Sequence, residues 1–367
     1  MQKSKIENQN YNSQIKILAI DTSCDETSAA VVQGVTILSN VIWSQASLHA
    51  KFGGVYPSLA KREHEERIDW VVNRALIKAF PKSPNTNNQL LTTKIDAIAV
   101  TVGPGLAIAL EVGINKAREL VKNYKKPLIA INHIEGHVLS PLARTRNFQS
   151  PISSSKFPAL ALVASGKHTD LVLVNKIGGY KVLAHTADDA LGEALDKAAR
   201  MLGLGYPGGA ILEKLAKNGD PKRYNLPIPM IGQESKMFFS YSGLKTAFYK
   251  LVENEKPLTK TKIENLAASF QSVAFEHTTR MLSYILHNTK YNIHEFWFGG
   301  GVSANVELRK RLRKVCWINK IKMLVPYSKK LCTDNAAMIG VAAGFRLSLG
   351  EIVHSLKNLE RKPRFSL

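Results

Sequence analysis

Short apolar runs separated by small polar segments predict strands joined by tight loops near the start of the chain. Residues 15–20 are predominantly apolar, residues 21–27 are polar, and residues 29–32 are apolar again. The same plan returns about 140 residues later, where the apolar runs 159–164 and 171–174 enclose a polar loop. Two strand–loop–strand units of this kind indicate a duplicated architecture.

The segment between these units alternates strand and helix patterns. Residues 96–102 predict a buried strand that ends at Gly103-Pro104-Gly105, residues 107–123 predict a helix, and residues 127–132 predict another strand. Strands that alternate with helices favour α/β layers. Two further segments have a helical pattern and exceed what a minimal duplicated core requires: residues 188–202 and 263–288.

Polar segments indicate where the chain divides. Residues 146–156 are rich in serine and contain a proline, which is typical of a linker between domains. We therefore expect a disordered lead-in at 1–14 and a first α/β lobe at 15–150. A second α/β lobe with helical insertions and nucleotide-binding loops is expected at 151–350, followed by a basic tail at 351–367.

The composition fits a protein with two domains and a substantial core. The chain has 367 residues, of which 45% are hydrophobic. No apolar run approaches the roughly 20 residues that cross a bilayer, so we expect no membrane association. Cys24, Cys316 and Cys332 form no CxxC pair, which argues against a disulfide framework or a cysteine zinc site. These features predict a cytoplasmic protein.

The net charge says more about function than the overall composition does. Fifty basic residues stand against 29 acidic ones, for a formal net charge of +21. A positive field of this size attracts phosphate backbones, although a general lysine bias would produce the same surplus. The basic residues also cluster, as at 309–314, which favours contact with nucleic acid.

Three loops have compositions that suit phosphates. Residues 21–27 (DTSCDET) combine hydroxyl and carboxyl groups, which can bind a phosphate or a cation, but ordinary polar hairpins have the same composition. In residues 165–169 (SGKHT), Gly166 permits close backbone approach and Lys167 adds a charge. Residues 299–301 are three glycines at a predicted strand end, where a nucleotide can lie against the backbone near a following helix.

His133 and His137 suggest a metal site. Histidines at i and i+4 share one face of a helix and can reach one ion, although unrelated histidines also occur at this spacing. A zinc protease would carry its general base directly after the first histidine. Glu135 stands two positions on, about 200° around the helix, so it points away from such an ion. Asp334 can supply an oxygen ligand, but spacing does not bring it near the histidines.

Eight motifs, in this order, together resemble one protein family. They are DTSCDET (21–27), KFGGVYPSLAKREH (51–64), GPG (103–105), NHIEGH (132–137), DDALGEALDKAARMLGLGYPGG (188–209), FSYSGLKT (239–246), GGGVSAN (299–305) and CTDNAAMIG (332–340). This set is similar to the TsaD family of tRNA threonylcarbamoyltransferases, formerly described as O-sialoglycoprotein endopeptidases. The likeness runs from about Lys16 to Arg346, nearly the whole chain.

The resemblance implies a fold and a set of site residues. The fold would be actin-like/sugar-kinase-like (ASKHA), with two duplicated α/β lobes and a nucleotide cleft between them. His133, His137 and Asp334 would bind one divalent metal ion, Fe²⁺ in preference to Zn²⁺, and Glu26 would have a catalytic role. The nucleotide part of the substrate would lie against Val163, Ala164, Ser165, Gly166, Lys167, Asp196, Gly209 and Asn305.

The resemblance also implies a reaction and partners. The threonylcarbamoyl group of threonylcarbamoyl-AMP would pass to the exocyclic amine of adenosine 37, in tRNAs that read codons beginning with A, and AMP would leave. The partners implied are tRNA, a shortened TsaB-like paralogue and a small TsaE-like ATPase. The alternatives are an ASKHA-type phosphotransferase for a small molecule, a non-catalytic nucleotide-binding scaffold of the same complex, and a metallopeptidase.

The sequence departs from the family pattern at a few positions. The family usually reads SGGHT in the second loop, whereas this chain has Lys167 in place of the second glycine. If that position requires positive φ, lysine is strained there; otherwise its ammonium group can meet the phosphate. Ser58 and Lys61 stand where relatives commonly carry Glu and Ser, so contacts with partners are expected to differ near residue 58.

Overall fold

The computed structural model describes residues 14–83, 87–146 and 155–367, and these form two compact units. The first unit contains the described residues up to Phe157 together with Val325–Leu367, and the second contains Pro158–Leu324. The expected lead-in, apart from Gln14, lies outside the described residues, as do residues 147–154 of the expected linker.

The first unit is built on a five-stranded sheet of order β3-β2-β1-β4-β5. Its strands are β1 (Lys16–Asp21), β2 (Glu26–Gln33), β3 (Thr36–Ser44), β4 (Ala97–Gly103) and β5 (Leu128–Asn132). The first three strands pair antiparallel, and β1, β4 and β5 pair parallel. Every residue of β4 is buried, which is why its sequence is apolar except for Thr101.

Helices pack on both faces of this sheet. The helices in this part of the chain are α1 (Ala46–His49), α2 (Pro57–Ala79), α3 (Asn87–Lys94), α4 (Ala107–Tyr124) and α5 (His133–Leu139). Apolar side chains of α2 and α4 pack with Leu18, Ile20, Ala29 and Val31, which share one face of β1 and β2. The alternate residues of these strands, such as Ala19 and Val32, are therefore directed to the opposite face.

The second unit repeats this plan in a six-stranded sheet of order β11-β10-β6-β7-β8-β9. Its strands are β6 (Ala159–Ala164), β7 (Thr169–Lys176), β8 (Gly179–Thr186), β9 (Phe238–Phe239), β10 (Glu295–Gly299) and β11 (Lys322–Leu324). Its helices are α6 (Leu191–Met201), α7 (Gly209–Ala216), α8 (Ser242–Asn254), α9 (Lys260–Asn288) and α10 (Val306–Ile318). Short 3-10 helices occur in both units at Ala50–Phe52, Ser140–Leu142, Glu234–Lys236, Gly301–Ala304, Lys329–Leu331 and Leu356–Asn358.

The two sheets share one pairing pattern, which confirms the predicted duplication. In each, three antiparallel strands are extended by two parallel strands beyond the first strand of the set: β4 pairs with β1 and β5 with β4, and β10 pairs with β6 and β11 with β10. Each predicted polar loop lies in the turn of a hairpin, between β1 and β2 and between β6 and β7. The second unit adds β9 at its edge.

Residues 325–350, which were expected in the second lobe, lie in the first unit. They include α11 (Ala336–Ser348), which packs against β1, β2, β5 and α5. The backbone of α11 approaches its neighbours closely because glycines lie at the contact. A Cβ atom added to Gly340 would stand 2.6 Å from Val32 Cγ2, and one added to Gly136 would stand 2.9 Å from Ile339 Cδ1.

The expected basic tail, residues 351–367, also packs against the first unit. The backbone N–H of Val353 donates to Leu128, and that of Lys362 donates to Val102, at 2.8 and 2.6 Å. Leu359 is buried with the apolar residues under α2 and α4. These contacts make the segment a structural part of the first unit.

No helix in the described ranges is both long enough and apolar enough to cross a bilayer.

We expect Gly340→Val to destabilise the first unit by about 1–3 kcal/mol, because its side chain would overlap Val32 across a packed contact. Urea unfolding followed by circular dichroism measures the change. The matched control is Gly243→Ala in α8, where an added Cβ meets nothing within 4 Å and helix propensity favours alanine. Equal midpoints for the two variants would contradict the proposed close packing.

Candidate functional site

The two candidate histidines lie on α5, which begins directly at the end of β5. Asn132 caps this helix, and its Oδ1 accepts from the backbone N–H groups of Ile134 and Glu135 at 2.8 and 3.3 Å. His133 and His137 are both buried. Their rings lie one turn apart with centroids separated by 4.7 Å. The predicted placement on one helix face is confirmed.

Asp334 reaches these histidines from the turn before α11. Its Oδ1 lies 3.1 Å from His137 Nε2 and 3.4 Å from His133 Nε2. Asn335 holds the turn, since its Oδ1 caps α11 at Met338 and its Nδ2 donates to the Thr333 carbonyl. The structure thus brings together three side chains that the spacing of the sequence could not connect.

Residues of the first polar loop and of the last segment support the histidines. His133 Nδ1 lies 3.1 Å from Ser23 Oγ and 3.5 Å from Asp21 Oδ2. These contacts orient the ring so that Nε2 faces Asp334. On the other side, Asn132 Nδ2 donates to the carbonyls of Phe365 and Ser366. The residue that caps α5 is therefore held by the C-terminal segment.

Neighbouring charges shift the pKa values of this cluster in opposite directions. Burial would lower the pKa of His133, but the carboxylates of Asp334 and Asp21 outweigh it and raise that pKa to about 10. Burial and the nearby charge of His133 lower the pKa of His137. Burial would raise the pKa of Asp334, but His133 and the hydrogen bonds from both histidines hold it well below its usual range. The carboxylates of Asp334 and Asp21 therefore favour a positive charge beside them.

This donor set fits a divalent metal ion. One ligand atom from each of His133, His137 and Asp334 lies within 4.8 Å of the other two. Both Nε2 atoms face a single carboxylate oxygen, where one shared cation satisfies all three groups. Two imidazoles and one carboxylate suit Fe²⁺ or Zn²⁺ and leave coordination positions open. His137 Nδ1 is buried and has no hydrogen-bond partner among the described residues.

Glu135 is turned away from this cluster, as its helical position predicted. It is 1% exposed, and both carboxylate oxygens accept from Arg346 Nε on α11, at 2.8 and 3.0 Å. Arg346 also pairs with the half-exposed Glu351. Glu135 therefore anchors α5 to α11, and its carboxylate is occupied by an ion pair.

Glu26, the expected catalytic acid, begins β2. Its Oε1 accepts from Ser44 Oγ at 3.5 Å. Burial and the charges of Asp25, Asp334 and Asp21 raise the pKa of Glu26 well above its usual range. The carboxyl group of Glu26 is therefore in the field of the histidine–aspartate cluster.

His64 fixes the chain on both sides of Glu26. Its Nδ1 lies 2.8 Å from Thr27 Oγ1, and its Nε2 lies 3.0 Å from the Cys24 carbonyl oxygen.

The second unit places the expected nucleotide-binding loop at the end of β6. Residues 163 and 164 close that strand, and Ser165 Oγ accepts from the backbone N–H groups of Lys167 and His168 at 3.3 and 3.2 Å. Gly166 and Lys167 are exposed. The backbone of Lys167 lies outside the positive-φ region, so the replacement of glycine costs no strain there. Gly300, with φ of +85°, lies against the Ala164 carbonyl.

Asp196, Gly209 and Asn305 also lie in the second unit, and two of their side chains are engaged within it. Asp196 Oδ1 accepts from the backbone N–H groups of Gly208 and Gly209, at 2.9 and 2.8 Å. Asn305 Oδ1 caps α10 at Leu308, and its Nδ2 donates to Gln271 Oε1. Asp196 and Asn305 thus shape the backbone around Gly209 and the start of α10.

Three supporting residues were not predicted from the sequence. Asp21 and Ser23 belong to a loop that was assigned to phosphate or cation binding, but the contact of Ser23 with His133 spans 110 residues and leaves no mark in local spacing. Asn132 could have been found, since an asparagine directly before a helix is a common cap.

Comparison with known proteins identifies close relatives. Residues 36–341 match the sequence profile of the family described as TsaD, tRNA N6-adenosine threonylcarbamoyltransferase. A protein of that name from Endomicrobium trichonymphae is 43% identical over 354 residues, covering 96% of this chain and 98% of its own. A protein of the same name from Staphylococcus carnosus is 43% identical over 336 residues, covering 91% of this chain and 92% of its own.

The chain is also similar in fold to solved structures. Full-length HypF in its phosphate- and nucleotide-bound form is 13% identical with a TM-score of 0.57, and the match covers 94% of this chain and 57% of that one. HypF from T. kodakarensis is 12% identical with a TM-score of 0.51, covering 92% and 48%. The chain spans about half the length of these proteins. Together with the duplicated sheets, the match assigns an actin-like/sugar-kinase-like fold.

We expect Arg346→Met to destabilise the first unit by about 3 kcal/mol, because the Glu135 carboxylate would remain buried without its cation. Urea unfolding measures the change. The double variant Glu135→Leu/Arg346→Met should recover much of the loss, and Glu351→Gln, which removes only the exposed partner of Arg346, should stay within about 0.5 kcal/mol of wild type. Wild-type stability of Arg346→Met would rule out this ion pair as the anchor of α5.

Proposed function

The chain belongs to the tRNA N6-adenosine threonylcarbamoyltransferase family, and we propose that it carries out that transfer at the centre formed by His133, His137 and Asp334. The observation that carries the proposal is the convergence of two buried imidazoles on one partly buried carboxylate oxygen, in a chain that belongs to a family of threonylcarbamoyltransferases. The donor is threonylcarbamoyl-AMP, and the acceptor is adenosine 37 of tRNAs that read codons beginning with A.

The reaction replaces one bond at the carbamoyl carbon by another. The exocyclic nitrogen of adenosine forms a bond to that carbon, the bond from the carbon to the phosphate oxygen breaks, and AMP leaves with the electron pair. The attacking nitrogen loses a proton. The protein must therefore orient the carbamoyl group, stabilise negative charge on its oxygen and provide a route for the proton.

His133, His137 and Asp334 would hold one divalent metal ion, Fe²⁺ in preference to Zn²⁺. Bound there, the ion supplies a Lewis acid for the carbamoyl carbonyl and a charge against which the threonyl group is oriented. Asp21 and Ser23 keep the His133 ring in the required orientation through its other nitrogen. The C-terminal segment contributes through Asn132, which fixes the start of the helix that carries both histidines.

Glu26 is our candidate for the proton transfer. Its carboxyl group lies in the field of Asp334 and Asp21, and it directly follows the loop whose Ser23 contacts His133. A carboxyl group in this position can take the proton from the adenosine nitrogen or return one to the leaving phosphate.

The second unit would bind the nucleotide part of the donor. The residues we assign to this role are Val163, Ala164, Ser165, Gly166, Lys167, Asp196, Gly209 and Asn305. The exposed Lys167 ammonium group can meet a phosphate, since its backbone is unstrained. Asp196 and Asn305 act by shaping the backbone at Gly209 and at the start of α10.

We further propose that the protein works in the cytoplasm with a shortened TsaB-like paralogue and a small TsaE-like ATPase. A net charge of +21 supports binding of tRNA. The alternative functions explain less of the structure. A small-molecule kinase or a nucleotide-binding scaffold does not need the three convergent ligands. A metallopeptidase would need Glu135 as its general base, but Glu135 is paired with Arg346.

We expect His137→Ala and Asp334→Ala each to reduce incorporation of labelled threonine into tRNA by roughly a hundredfold or more. Each removes a proposed ligand of the metal, and even the loss of a group that only supports a ligand costs about 10- to 100-fold. The assay contains tRNA, threonylcarbamoyl-AMP and the partner proteins. Metal content, measured by inductively coupled plasma mass spectrometry, should fall in the same variants. The control is His287→Ala, which removes an exposed histidine that bonds to the Ser283 carbonyl within α9.

A wild-type protein that binds metal but transfers no label would contradict the proposed reaction. Full activity of His137→Ala, with tRNA and donor present, would contradict the proposed metal site. Removing the metal with a chelator and restoring activity with either Fe²⁺ or Zn²⁺ alone decides between the two ions.

A further inference from the structure

The basic cluster on α10 is divided by the structure into two groups. Arg309 and Arg311 are partly buried and serve the unit itself. Arg309 Nε donates to the Ser303 carbonyl, and Arg311 donates to Glu307 and, at 2.9 Å, to the carbonyl of Ser272. These two arginines fix α10 to its surroundings, and the charge of Arg311 is paired with Glu307.

The remaining cations of the helix point into solvent. Lys310, Arg313 and Lys314 are exposed, and none of them forms an ion pair with any residue in the described ranges. At about 100° per residue, these positions and Trp317 fall within an arc of roughly 100° on the helix surface. The opposite side of the helix carries Leu308, Leu312 and Cys316, which are buried. The exposed face therefore carries three cations and Trp317, with the exposed Val306 at its N-terminal end.

Trp317 lies on this exposed face. Its side chain is 78% exposed, the largest fraction among the exposed large hydrophobic residues of the described chain. Arg313 and Lys314 precede it by four and three residues, so both lie beside it on the helix face. The fold does not use this ring as core, since the buried side of α10 is complete without it. An exposed indole beside exposed cations is an arrangement that suits a ligand with both phosphates and flat aromatic groups.

We propose that the α10 face, formed by Lys310, Arg313, Lys314 and Trp317, binds tRNA. The three cations contact the phosphate backbone, and the indole stacks on an unpaired base. This inference rests on the proposed function, which supplies a polyanionic RNA as the substrate. An acidic protein partner would satisfy the charges but would not need an exposed aromatic ring at the centre of them, whereas stacking on bases is a standard use of tryptophan in RNA binding.

The charge contribution predicts a specific salt dependence. Removal of one cation that neutralises a phosphate reduces the slope of log Kd against log salt concentration by roughly 0.7 to 0.9. The variant Lys310→Gln/Arg313→Gln/Lys314→Gln should therefore lower this slope by about 2 and weaken binding of tRNA at least roughly tenfold near 0.1 M salt. Fluorescence anisotropy with labelled tRNA over a range of KCl concentrations measures both. Thermal unfolding confirms that the variant is folded.

The matched control removes three exposed lysines elsewhere on the second unit. Lys176, Lys181 and Lys250 lie outside α10, and they form no ion pair within the part of the chain that the structure describes. The variant Lys176→Gln/Lys181→Gln/Lys250→Gln lowers the net charge by the same amount. If the α10 face is a binding surface, this control should bind tRNA almost as wild type does.

The stacking contribution is tested separately at Trp317. Trp317→Ala should weaken binding of tRNA by roughly 5- to 100-fold without changing the salt slope, and Trp317→Phe should recover part of the loss. In the transfer assay, both the triple variant and Trp317→Ala should raise KM for tRNA, with little change in kcat at saturating tRNA.

The outcomes separate this inference from the proposed function. If the wild type neither binds nor modifies tRNA, both fail. If the wild type transfers threonylcarbamoyl normally and the triple α10 variant binds tRNA with unchanged affinity and slope, the α10 inference alone is overturned. It is also overturned if the variant keeps its affinity for tRNA but no longer assembles with a partner protein, which would make the face a protein-docking site.

Discussion

The close packing of α11 against α5 and the first sheet is the constraint on which the candidate site depends. Asp334 and His137 are 197 residues apart, and the contact between these helices is what places one beside the other. Gly340 and Gly136 allow the approach because a side chain at either position would meet its neighbour. The Glu135–Arg346 ion pair then fixes the helices at a second point. The ligand geometry is a consequence of core packing.

Both helices begin at the cluster, and each beginning is capped by an asparagine. Asn132 caps α5 next to His133, and Asn335 caps α11 next to Asp334. A capped first turn has little freedom, so the attached ligand is held by backbone hydrogen bonds as well as by packing. Asn132 is in turn bonded to Phe365 and Ser366. The C-terminal segment, which looks like a loose basic tail by composition, thus completes the support of the candidate metal ligands.

The sequence predicts the elements well and their assembly less well, for a physical reason. The strand at 159–164 and the helix from 107 onward were found because burial on a sheet or along one helix face imposes a local period. The assignment of residues 325–350 to the second lobe was wrong, because the apolar α11 would suit either sheet, and only tertiary packing decides between them. The full set of candidate metal ligands came from resemblance, since the contact between Asp334 and the histidines has no local signature.

The distribution of charge, like the assembly of the elements, cannot be inferred from the composition alone. The protein carries a large positive surplus, yet three acidic side chains, Asp21, Glu26 and Asp334, lie together at the candidate centre, where burial and neighbouring carboxylates raise the pKa of Glu26. The net charge of the whole chain therefore hides a local acidic centre. On α10, two of the five basic residues in the cluster are partly buried and hydrogen-bonded inside the unit. The sequence counts all five alike, but only three of them expose their side chains beside Trp317. How much of a basic cluster is open to a polyanion therefore depends on how many of its side chains the fold itself uses.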